Sequence, residues 1–95
     1  MSEPGTAGAR VVLHTRPGCH LCDVAREVVT AVCADEGTAW TEVDVDAPGA
    51  VADGVRDRYT DLVPVVTVDG RHHEHWRIDP ERLRAALRER AAAGG

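Results

Sequence analysis

The chain has no lysine, and its basic residues fall short of its acidic ones. Eleven arginines stand against sixteen carboxylates, for a net charge of −5 and a pI of about 5.4. An acidic surface argues against nucleic acid as a partner, because a phosphate backbone demands a basic one. It argues equally against anionic membranes. Long apolar runs are also missing. No segment nears the roughly 20 residues that a membrane span needs. Met1–Ala9 lacks the positive start and apolar stretch of a signal peptide. A cytoplasmic location is the expectation, where thiols are held reduced. Cysteine is scarce and odd in number, at three, which speaks against a secreted scaffold stapled by disulfides. Ninety-five residues make one domain with a modest core and little room to enclose a large cofactor.

What is present reads as alternating strands and helices. Met1–Ala9 and Ala92–Gly95 are expected as loose ends of a single domain over residues 10–91. Arg10–Thr15 holds Val11, Val12 and Leu13 in succession, which suits a strand buried on both faces. Pro17-Gly18 breaks it. A helix fits Cys19 to about Glu36, with Leu21, Ala25, Val28 and Val32 on one stripe and Gly37 placed to end it. Ala39–Asp46 alternates, with Thr41, Val43 and Val45 on one side, as a half-buried strand does. Pro48–Tyr59 is a weaker helix, interrupted by Gly54. Pro64–Val68 is a third strand, Asp69-Gly70 a two-residue hairpin turn, and Arg71–Arg77 a fourth strand. The last helix has Asp79 as N-cap, Pro80 in first position and an Ile78–Leu83 staple. The order β-α-β-α-β-β-α predicts an α/β fold: a four-stranded mixed sheet with helices on its faces.

The stretch Thr15–Cys22, TRPGCHLC, carries the chemistry. Cys19 and Cys22 are i and i+3 at a helix start, with Cβ atoms about 5–6 Å apart. A small adjustment closes a disulfide. Helix N-termini stabilise anions, so Cys19 is the expected nucleophile and Cys22 the thiol that resolves a mixed disulfide. Arg16 can approach the Cys19 sulfur or an anionic substrate. His20, when protonated, favours the thiolate; Asp23 opposes it. Metal ligation and incidental thiols remain the alternatives for a Cys-x-x-Cys pair; its place after a strand and at a helix start favours redox use. Cys33 lies about 16 Å further along the helix, out of reach of the pair, and reads as a half-buried packing residue.

TRPGCHLC, then VPVVTVDG (Val63–Gly70), then WRIDPERL (Trp76–Leu83) resembles the small bacterial glutaredoxin-like proteins of the thioredoxin fold, over Arg10 to Arg90. The resemblance implies a thiol-disulfide oxidoreductase in which Cys19 attacks and Cys22 resolves. It implies that Pro64 is the cis-proline facing the cysteines, freeing the Val63 backbone to pair with an extended substrate. It implies that Arg16 contacts a glutathione carboxylate and that Asp79 helps hold the glutathione amine. The implied co-substrate is glutathione or another low-molecular-weight thiol, with no resident cofactor and no metal. The implied partner is a disulfide-containing protein or a small-thiol disulfide, met by a monomer. Two departures stand out. Glutaredoxins carry Gly-Gly after the fourth strand, where this chain has Arg77-Ile78-Asp79. Between the cysteines it has His-Leu rather than Pro-Tyr. Another small thiol or a protein dithiol therefore stays open as the partner. An iron–sulfur or metal-binding module built on Cys19 and Cys22 stays open too, as does a non-catalytic binding domain using the Val63-Pro64 edge.

Arg71–Trp76, RHHEHW, reads as a solvated edge strand that discourages sheet-to-sheet pairing, with His73 and His75 on one side and His72 on the other. His14 reads as a hydrogen-bonded core histidine, and Trp40 and Trp76 as packing residues.

Overall fold

The computed structural model describes residues 9–52 and 54–94, with side chains given up to Glu89. Of the expected tail Met1–Ala9, residues 1–8 lie outside the described residues, as does Gly95.

Four strands form one sheet in the order β2-β1-β3-β4. β1 (Val11–Thr15) lies at its centre, parallel to β2 (Trp40–Asp44) and antiparallel to β3 (Val65–Val68). β4 (Arg71–His75) returns beside β3 through the Asp69-Gly70 turn. Both turn residues take positive φ, 52° and 84°, as a two-residue hairpin with right-twisted strands requires. The run of apolar residues in β1 follows from burial on both faces. Val11 and Leu13 face a core made with α1 (His20–Glu36) and α4 (Pro80–Gly94), where Ala25, Val29, Val32, Leu83 and Leu87 meet them. His14 faces the other way and packs on Tyr59 of α3 (Val55–Tyr59), ring centroids 4.8 Å apart. Helices therefore cover both faces of a mixed sheet, as the sequence led one to expect.

Four local differences have physical causes. The buried stripe of α1 is Cys22, Ala25, Val29, Val32 and Cys33, a phase rotated from the expected one. Val28 and Val29 are adjacent and both apolar, so the periodicity fits either phase; Leu21 and Val28 end half-buried. Cys33 consequently lies fully in the core instead of at its margin. The second helix is two: α2 (Pro48–Ala52) and α3, divided at Gly54, whose φ of 78° is left-handed and incompatible with a continuous helix. β4 ends at His75, because Trp76 turns to φ 63°. α4 continues to Gly94, through residues expected as a loose end.

β4 also carries a bulge. Val66 pairs with Glu74 but Thr67 with His72, leaving His73 as the extra residue. The bulge breaks simple alternation. His72 and His75 come together, Nε2 to Nδ1 2.9 Å, while His73 turns inward, its Nε2 buried without a hydrogen-bond partner. The expected pairing of His73 with His75 is thereby reversed.

Candidate active site

The end of β1 delivers the chain into the site. Gly18 turns it at φ 77°, and Cys19 follows in extended geometry as the N-cap of α1. The Cys19 sulfur accepts the Cys22 N–H at 3.2 Å, the role a serine oxygen usually fills at a helix start. Cys19 and Cys22 are joined as a disulfide, Cα atoms 5.2 Å apart. The two sulfurs differ in setting. Cys19 is half-buried at the surface; Cys22 is 1% exposed beneath it. An attacking group therefore meets the outer cysteine first.

Register brings a second element to the same end of the sheet. His14, one residue before the end of β1, pairs with Val65, the first residue of β3. Pro64, immediately before Val65, is fully buried and joined to Val63 by a cis peptide bond. The Val63 N–H turns inward to the Tyr59 carbonyl at 3.2 Å. An extended substrate strand would thus have the Val63 carbonyl, not its N–H, to pair with. The Pro64 carbonyl accepts the N–H of Trp76 at 2.8 Å, tying the 76–78 segment to this loop.

The other expected site residues divide. His20 is exposed and lines a cleft of about 310 Å³ beside the disulfide, with Leu21, Val24 and Ala25 on one wall and Trp76, Arg77 and Ile78 on the other. Arg16 is not turned to the disulfide. Its guanidinium bonds Asp46 at 3.1 Å, the Thr60 carbonyl at 3.2 Å and the Thr60 hydroxyl. Asp46 in turn holds Arg56 at 3.1 Å. Arg16 thus ties the cysteine loop to the segments after β2 and α3. Asp79 is occupied as the α4 cap: its Oδ1 accepts from Glu81 and Arg82 N–H at 2.8 and 3.2 Å. Neither Arg16 nor Asp79 lines the cleft.

Two features escaped the sequence reading. Glu42 accepts from Thr15 Oγ1 at 2.8 Å and from Arg26 at 2.8 and 2.7 Å, fixing α1 to the sheet one turn below Cys22. Arg26 first, then the Thr15 hydroxyl, hold its carboxyl below the usual range against the opposing effect of burial. Its alternation marked it only as solvent-facing. Trp76 is 51% exposed on the cleft rather than packed inside; Trp40 does pack against the core. The signal for Trp76 was its place between a polar strand and a helix cap. Among the described residues no three His, Cys, Asp or Glu side chains gather as a metal site would require. No described helix is long and apolar enough to cross a membrane.

Comparison with known proteins agrees with this architecture. An uncharacterized protein of Mycobacterium tuberculosis is 36% identical over 88 residues, covering 92% of this chain and 86% of its own. The solved structure of a protein from X. campestris superposes with a TM-score of 0.64 at 32% identity, over 83% of this chain and 96% of that one. Wheat glutaredoxin, at 21% identity and a TM-score of 0.51 over 87% and 74% of the two chains, shares the fold. Residues 10–88 match the family described as Glutaredoxin-like domain (DUF836), and the chain belongs to that family, with a thioredoxin-like fold.

Proposed function

We propose that the chain is a thiol-disulfide oxidoreductase. The observation that carries this reading is the Cys19–Cys22 pair at the head of α1, one sulfur at the surface and one buried behind it. In the reduced protein the helix terminus and the Cys22 N–H favour negative charge on the Cys19 sulfur. The Cys19 thiolate attacks one sulfur of a substrate disulfide. A Cys19–substrate disulfide forms and the first substrate thiolate leaves. Cys22, as thiolate, then attacks the Cys19 sulfur and expels the second. Two electrons pass from the dithiol to the substrate, and the departing thiolates take their protons from solvent. The oxidised pair is returned by a low-molecular-weight thiol such as glutathione, or by a protein dithiol. The protein acts as a monomer in the cytoplasm, without resident cofactor or metal.

Mass analysis after alkylation, across a series of glutathione redox buffers, tests this. A reversible two-electron transition confined to Cys19 and Cys22 is expected. Thiols that stay free across the whole series would overturn the reading.

A further inference from the structure

The segment after β4 holds a conformation that a large side chain rarely accepts. Trp76 lies at φ 63°. A bulky residue there is strained, and the conformation persists only where its surroundings fix it. Trp76 is fixed on three sides. Its backbone N–H is bonded to Pro64, its indole Nε1–H donates to the Asp61 carbonyl at 3.2 Å, and His75 meets the ring edge-on at 4.8 Å. The ring is nonetheless left half in solvent.

Val24, on the opposite wall of the cleft, is 48% exposed. Two large apolar side chains thus stand uncovered across a cleft that begins at His20, next to Cys19. The formal charge lining this cleft is opposite in sign to that of the protein. The chain carries −5 overall with histidine neutral, yet the cleft is lined by Arg77 and by no acid. A ligand that is polar throughout gains little from the Val24 and Trp76 walls. A polypeptide with a large apolar side chain beside an acidic one matches both walls and charge.

We infer that this cleft is the docking groove for the polypeptide of a protein disulfide. It takes a Leu- or Phe-sized side chain adjoining the substrate cysteine between Val24 and Trp76, and an acidic side chain at Arg77. The inference rests on the redox reading of Cys19 and Cys22 for its purpose, and on the groove alone for its binding.

Two peptides test it, one with Leu and Asp beside its cysteine and one with Gly and Ser there. In forms with serine in place of cysteine, they are titrated into isotope-labelled oxidised protein. The Leu-Asp peptide is expected to shift the Trp76 indole N–H and the Val24 and Arg77 amides, and to bind at least tenfold more tightly than the Gly-Ser peptide. Arg77→Glu should remove most of that difference. As disulfides, the Leu-Asp peptide should be reduced at least tenfold faster in kcat/KM. Trp76→Gly suits the local φ, and Val24→Ser lies on an exposed helix face, so both variants fold; both should bring the ratio towards one. Equal binding of the two peptides, or a ratio unmoved by both variants, would overturn the groove. A small dialkyl disulfide separates the two readings. If it is reduced while the peptides are indistinguishable, the groove fails and the redox reading stands. If neither it nor the Leu-Asp disulfide is reduced while the Leu-Asp peptide still shifts Trp76, the redox reading fails and the groove stands.

Discussion

The Cys22 N–H donates to the Cys19 sulfur at 3.2 Å, so one sulfur both caps a helix and faces the solvent. Capping and chemistry can be separated by substitution. Serine is among the best N-cap residues and alanine among the worst, with about 1 kcal/mol between them. Cys19→Ser should therefore be at least as stable as the reduced wild type in urea, and Cys19→Ala about 1 kcal/mol less stable than Cys19→Ser. Both should lose disulfide exchange. Exchange by Cys19→Ser at the wild-type rate would assign the chemistry elsewhere.

Cys22 lies 1% exposed under Cys19, and in the proposed mechanism it attacks the Cys19 sulfur and does not meet the substrate first. Cys22→Ser should accumulate a mixed disulfide at Cys19, seen by mass as one added small thiol that persists until reductant is supplied. A buried hydroxyl replaces a thiol there, so a stability loss of about 1–2 kcal/mol is expected beside it. A Cys22→Ser protein that never accumulates the adduct under oxidised thiol would count against the two-step mechanism.

Cys33 separates reactive from structural thiols. It is fully buried in the core, and burial pushes its thiol up to about 11 despite Arg10 nearby. At pH 8 only about one such thiol in a thousand is ionised, and that one is shielded. Iodoacetamide on the reduced native protein should label Cys19 first and leave Cys33 unlabelled until urea unfolds the chain. Native labelling of Cys33 at the rate of Cys19 would show that the core opens locally.

The order of elements along the chain, the hairpin turn and the α4 cap were legible because each rests on short-range chemistry: Asp69-Gly70, Asp79-Pro80, the Val run of β1. The cysteine pair was legible for the same reason. What was not legible depended on three dimensions. The phase of α1 was ambiguous because Val28 and Val29 fit either stripe. Arg16 was read by its distance from Cys19 along the chain, yet Asp46 and Thr60, far away in sequence, claim its guanidinium. The β4 bulge displaced His73 by one residue and so reversed which histidines meet. Trp76 could not be placed because its exposure follows from a backbone turn that no propensity for tryptophan anticipates.

His14 should give the fold a pH dependence of predictable sign. It is 7% exposed, its Nδ1 has no hydrogen-bond partner, and its Nε2 is 3.5 Å from the Thr67 hydroxyl. Burial first, and the Arg58 charge second, lower its pKa to about 4. In the unfolded chain it returns to about 6.5. Between those values the unfolded state binds a proton that the folded state refuses. The stability is therefore complete above pH 6.5 and is lost as the pH falls towards 4. At about 1.4 kcal/mol per pK unit the loss is at most about 3 kcal/mol. His73, lowered chiefly by burial and opposed by Glu74, slopes the same way. His14→Leu keeps an apolar group against Tyr59 and removes the titration, while carboxylate protonation at the acid end is common to both proteins. Urea midpoints from pH 7 to 4.5 should fall steeply for the wild type and less than half as far for His14→Leu. Parallel curves would mean that His14 finds its proton in the folded state, through a hydrogen bond or water that compensates its burial.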